Sequence, residues 1–168
     1  MNFLFLFLFL LILIVYIRFM LQTSPIFEII EVPISKVNPQ HLFEKQPIII
    51  KEPLVSPKDL TTSLFKYLFL SKKYRQNTIA NVYQQNKAKY MIIYPRENNL
   101  ILQVVHPKKS SFLKNISPES LKHVEYVEFR LKRRQVMILP MYWWYNVNSE
   151  KFGRIELDDV LSFVLGRI

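Results

Sequence analysis

The stretch ILPMYWWYNV, Ile138 to Val147, decides the fold. A proline closes an apolar run, and two tyrosines bracket two adjacent tryptophans. Adjacent residues of a strand point to opposite faces. Tyr142 and Trp144 then share one face, and Trp143 and Tyr145 share the other. One pair is expected inside a β core, and the other between that core and flanking helices. The same aromatics, Tyr142, Trp143 and Trp144 with Tyr145, would also line a ligand groove or an active-site pocket, and the residues alone leave these roles open.

Working outward, short apolar runs flank this stretch. QPIIIKEPL reads as a short buried strand between prolines. KYMIIYP and LILQVVHP enclose the polar RENN, which predicts a β-hairpin. In HVEYVEFRLKRRQVMILP the alternation changes phase between Tyr126 and Val127, which predicts a bulge. Arg133-Arg134-Gln135 then reads as a turn into VMILP. GRIEL is expected as the last strand, and DDVLSFVLGRI as a closing helix capped by Asp158 or Asp159.

The clearest soluble helix is expected over residues 57–71. Ser56 caps it, Pro57 fits its first position, and Asp59 meets the positive end of its dipole. A helix followed by many short strands gives a mainly β fold with flanking helices (α+β), a small barrel or sandwich.

Composition narrows the chemistry. The chain has 168 residues, a formal charge of +10 and no cysteine. Disulfides, thiol catalysis and cysteine-held zinc or iron–sulfur centres are excluded. Only Gly153 and Gly166 are glycine, so no glycine-rich phosphate loop can be written. No serine, histidine and aspartate arrangement for nucleophilic catalysis emerges.

Phe3 to Ile17 is unbroken apolar sequence, and Phe19 to Leu21 extend it past Arg18. This approaches the roughly 20 residues a helix needs to cross hydrocarbon. A cleaved signal peptide is the rival reading, but no base precedes the run and no small-residue cleavage site follows it. Residues 1–22 are therefore expected as a single-pass transmembrane anchor. A proline-containing connector, 23–46, and a β domain, 47–168, follow. Arg18 favours a cytoplasmic domain by the positive-inside rule, on a single charge.

LPMYWWYNV resembles the last-barrel-strand motif of cupin-like, Jumonji-C-type oxygenases, most closely their asparaginyl-hydroxylase branch. VNPQHLFEKQPIIIKEPL and LILQVVHPKKSSFL resemble other segments of that family, in the same order. The resemblance implies a double-stranded β-helix that binds ferrous iron and 2-oxoglutarate. Carried over residue by residue, it also implies that the ligands are lost. Tyr145 stands where the distal histidine belongs, and Asn81 and Tyr83 stand where a His-x-Asp pair belongs. An iron oxygenase needs two imidazoles and a carboxylate on one face. The expectation is a degenerate, non-catalytic cupin-like protein, a pseudoenzyme without cofactor or metal. The alternative is a diverged iron/2-oxoglutarate-dependent protein hydroxylase, for which His123 and Glu125 are the spare metal pair.

The excess of bases has three readings: attraction to an anionic lipid surface, plain solubility, and nucleic-acid binding. The bases scatter over turns and helix ends, which argues against the last. The expected partners are thus the membrane, through the N-terminal helix, and a protein or an anionic lipid surface.

Overall fold

A computed structural model of the chain describes residues 2–24, 27–51, 56–66, 70–75, 80–96, 99–109 and 125–166. It is mainly β, with two sheets and four α-helices among these residues.

Helix α1 runs from Asn2 to Leu21. Its apolar side chains surround the axis evenly, and most of them from Phe3 to Val15 are exposed. Its described side chains are Phe3–Phe19, about 26 Å of helix at 1.5 Å per residue, and Leu21. Among the described residues no helix is long and apolar enough to cross a membrane.

Strand β1, Ile30–Val32, lies within the stretch expected as a connector and pairs in parallel with β2, Ile48–Ile50. Between them, α2 (Pro39–Phe43) is started by Asn38, whose side chain accepts from the Gln40 N–H at 3.0 Å. Helix α3, Pro57–Leu64, opens as expected, with the Ser56 hydroxyl accepting from the Lys58 N–H at 3.0 Å.

The expected end of α3 is corrected. The helix stops at Leu64, and Ser71–Arg75 form strand β3. Residues 67–69 of the expected helix lie outside the described residues. β3 reads SKKYR and is exposed throughout, so no apolar period marks it as a strand. It forms by pairing with the edge of β10 (Phe152–Asp158), Arg75 opposite Arg154 and Ser71 opposite Asp158.

The remaining strands are β4 (Gln84–Gln85), β5 (Tyr90–Pro95), β6 (Leu100–Val105), β7 (Val127–Leu131), β8 (Val136–Pro140) and β9 (Trp144–Val147). One sheet has the order β1-β2-β8-β5-β10-β3, the other β4-β9-β6-β7. The pairs β3–β10, β4–β9, β5–β8 and β6–β7 are those of one long antiparallel hairpin. Rolling that hairpin over adds β5–β10 and β6–β9.

The expected hairpin of KYMIIYP with LILQVVHP is therefore overturned. These segments are β5 and β6, and they lie in different sheets. Both are apolar enough to be core strands, and local sequence does not say which partner each prefers. The expected bulge is also absent from β7, whose Val127 to Leu131 pair without interruption with Val104 to Leu100. The phase change falls where the strand begins. The Arg133-Arg134-Gln135 turn is present, with the Gln135 N–H bonded to Lys132 O at 3.0 Å and Arg134 at φ 72°.

The central strands β2, β8 and β5 of the six-stranded sheet are buried on both faces. Ile49, Met91, Ile93, Met137 and Leu139 point between the sheets, where Trp143, Tyr145, Leu102 and Phe152 meet them. Ile48, Ile50, Ile92, Val136 and Ile138 point outward against Leu42 of α2 and Leu60 of α3. Each fully buried aliphatic side chain contributes about 1.5–3 kcal/mol. Two buried faces explain why III, MII and VMIL read as continuous apolar runs. Helix α4, Val160–Leu165, closes the fold, with Asp159 as its N-cap.

Candidate functional site

β9 and β4 face each other with Tyr145 opposite Gln84. Trp143 and Tyr145 are buried at 1 % and 2 % exposure in the same inter-sheet core, so theirs is the pair that packs inside. The Trp143 indole N–H donates to Lys45 O at 3.0 Å, and its ring packs against Phe27 and His106. Tyr142 departs from the strand reading. It sits at φ 71° in the turn before β9, and so has no strand face.

On β10, Phe152 points into the core, and two residues further along the same face come Arg154 and then Glu156. Residues directly opposite in an antiparallel ladder share a face. Arg75, opposite Arg154, and Lys73, opposite Glu156, therefore also look between the sheets. The mouth of the sandwich is polar where its centre is apolar. It holds a cavity of about 280 Å³ lined by Lys73, Arg75, Gln84, Tyr145, Arg154 and Glu156, with further residues of the 85–91 segment and α4.

The hydrogen bonds there are specific. Arg154 Nη1 donates to the Tyr145 phenol at 2.5 Å and to Gln84 Oε1 at 3.1 Å. The Tyr145 O–H donates to the same Gln84 oxygen at 3.1 Å. A guanidinium only donates, so the amide must turn its oxygen toward it. Glu156 Oε1 lies 3.0 Å from Arg75 Nε and 3.2 Å from Arg154 Nε, bridging the two cations. Burial pushes the Tyr145 phenol above its ordinary pKa, and Arg154 partly opposes it. The phenol therefore stays protonated at neutral pH.

Phenol, amide and guanidinium make a poor metal site. They offer neither imidazole nor free carboxylate, and Arg154 already places a positive charge there. Iron does not fit this set. Among the described residues no group of three or more histidines and carboxylates comes together.

Asn81 and Tyr83, the other positions singled out by the resemblance, do not reach Tyr145. Asn81 is exposed at φ 59°, and its N–H bonds to Val147 O at 2.8 Å. The Tyr83 O–H donates to Gln103 Oε1 at 2.9 Å, on the outer side of the small sheet. Burial, then Tyr126 and Glu128, push that phenol up to about 12. Tyr83 and Gln84 are neighbours and face opposite ways, so a shift of one residue moves the reading from the outer to the inner face. Asn86, two residues beyond Gln84, is buried, and its amide nitrogen donates to Leu139 O and Pro140 O, both at 2.9 Å. Of the spare metal pair, His123 lies outside the described residues, while Glu125 is exposed and paired with Lys109.

Sequence reasoning missed Gln84, Arg154 and Glu156. The available signal was a pair of charges, at 154 and 156, on the same strand face as Phe152.

No protein-family model matches the chain, and no curated protein matches it in sequence.

Proposed function

We propose that the chain is a membrane-anchored, non-catalytic cupin-like protein that serves as a structural or protein-interaction module. The rolled-hairpin pairing supports the double-stranded β-helix. The carrying observation for the lack of catalysis is the Tyr145–Gln84–Arg154 cluster: at Tyr145, where the resemblance implies a metal ligand, a guanidinium donates to a phenol and an amide oxygen. What supports the anchor is composition: α1 is apolar on every side, and Arg18 is its single charge, near the C-terminal end.

The competing reading is a diverged iron/2-oxoglutarate-dependent hydroxylase. Metal analysis of the full chain purified in detergent separates the two. The expected result is no bound iron above background and no turnover of 2-oxoglutarate on adding ferrous ion. Stoichiometric iron with turnover would overturn the proposal. For the anchor, alkaline carbonate extraction of membranes should leave the full-length chain in the pellet.

A further inference from the structure

α1 does not stand clear of the β domain. Near its C-terminal end it is clamped. The Tyr16 phenol bonds to the Asp159 carboxylate, and Lys89 Nζ reaches Tyr16 Oη at 2.8 Å and Asp159 Oδ2 at 2.6 Å. Lys45 Nζ bonds to Phe19 O, reaches Gln22 O at 2.6 Å, and lies 4.3 Å over the Phe19 ring. Only Asn2–Val15 of α1 precedes this clamp, about 14 residues or ~21 Å. A bilayer core is about 30 Å thick, so a spanning α1 is ~9 Å short unless the junction itself sinks into the interface.

The surface around the junction suits that depth. Beyond α1, the large apolar residues exposed among the described residues are Phe43, Tyr74, Val82, Tyr126, Val160, Phe163 and Val164. Two of the seven, Phe43 and Val160, adjoin the junction, and two more lie further along α4: Val164, and Phe163, which also borders the cavity at the mouth of the sandwich. Phe43 packs on Phe19 with ring centroids 6.2 Å apart. Val160 follows the clamped Asp159, and Phe163 and Val164 continue its face of α4 at helical spacing. Exposed bases accompany them. Arg18 is on α1, and the backbone of Lys87 meets α4 at Gly166. Apolar residues rimmed by bases are what an interfacial contact needs, with burial of 5–10 Å into the headgroup boundary.

The geometry points to a second membrane contact. Phe43 and the Val160–Phe163–Val164 face of α4 form a collar around α1 that beds into the headgroup region of the bilayer, holding the β domain against the membrane. This inference rests on the anchor reading. It adds that the domain is seated on the lipid and not tethered at a distance.

The chain has no cysteine, so single-cysteine labelling is clean. Full-length Leu10→Cys, Phe43→Cys, Phe163→Cys and Arg96→Cys variants would carry an environment-sensitive fluorophore. They would be reconstituted in phosphatidylcholine–phosphatidylserine vesicles containing shallow spin-labelled lipid. Arg96 follows β5 at the end away from Lys89, about 23 Å along the strand. Quenching by about half is expected at 10, 43 and 163, with little at 96. Quenching at 10 with either 43 or 163 matching position 96 would overturn the collar and leave the anchor intact. No quenching at 10 would remove the anchor and the collar together. Equal quenching at all four positions would overturn the orientation.

Discussion

Tyr145 and Gln84 are register partners across two strands, and the phenol of one donates to the amide oxygen of the other at 3.1 Å. Arg154 donates to both, so three side chains from three strands share one polar knot at the edge of an apolar core.

Tyr145→Phe should cost about 1–2 kcal/mol, since the knot loses a buried hydroxyl while Arg154 keeps Gln84. Tyr145→His should cost about 1–3 kcal/mol, through the volume lost in the core. Ferrous iron should not raise its melting temperature, because one imidazole without a carboxylate partner does not hold iron. Thermal unfolding of both variants with and without ferrous ion checks this. A substantial iron-dependent rise would show that other ligands converge on position 145.

Arg154→Met should destabilise by about 1–3 kcal/mol, because Glu156 keeps only Arg75 and the phenol loses its donor. Adding Glu156→Gln should restore part of that loss. A double-mutant cycle measured by denaturant unfolding gives the coupling directly. Strict additivity would mean that Arg154 and Glu156 do not interact in solution.

His106 sets a pH dependence. Its Nδ1 accepts from the Lys108 N–H at 3.1 Å, and Nε2 lies 3.0 Å from Ser24 O, so the neutral ring donates from Nε2. Burial lowers its pKa from the ordinary 6.5; the Ser24 bond opposes this, and Lys108 and Lys109 reinforce it. The unfolded chain then takes up the proton first as pH falls. The stabilisation is complete above about 6.5 and declines as pH drops from there toward the folded value. Melting curves from pH 8 to 5 should show this decline, and His106→Phe should flatten that part of the profile.

Asp159 titrates in the opposite sense. Burial alone would raise its pKa, but bonds from Lys89, Tyr16 and the Ser162 N–H override that and hold it at about 2. A depressed carboxylate stabilises the fold above its unfolded value near 3.8, and the benefit is lost as pH falls through about 2. Asp159→Asn should reduce acid sensitivity between those values. It should also loosen α1 from the domain, read as faster proteolysis after Gln22.

Gly166 ends α4 against another backbone. A Cβ there would lie 2.1 Å from Lys87 O, a contact that no side-chain rotation relieves. Gly166→Ala should cost about 1–3 kcal/mol by overpacking. Circular dichroism melting in detergent would show it, and a neutral result would mean that α4 and the 84–88 segment are not in contact.

Much of the architecture was written locally. Ser56 and Asp159 cap helices because a short polar side chain there satisfies an end N–H wherever the helix goes. III, MII and VMIL announce a sheet buried on both faces. Trp143 and Tyr145 could be assigned to one face because strand alternation is a property of the backbone. Other features were set by distant partners. β3 is exposed and polar, and exists as a strand because β10 offers it an open ladder. β5 and β6 look like a hairpin, yet each finds its partner in a different sheet, because any apolar strand matches several others and only closure of the whole sandwich chooses. The candidate site depended on that closure. Gln84, Tyr145 and Arg154 are separated by 61 and 9 residues, and a one-residue shift in β4 puts Tyr83 in place of Gln84. The sequence by itself determined an apolar N-terminal helix, a β core with its aromatic interior, and the helix caps. Strand pairing, the polar mouth with Arg154, and the seating of α1 on Lys89 and Asp159 were decided by tertiary structure. Each depends on which faces meet, and local composition does not encode that.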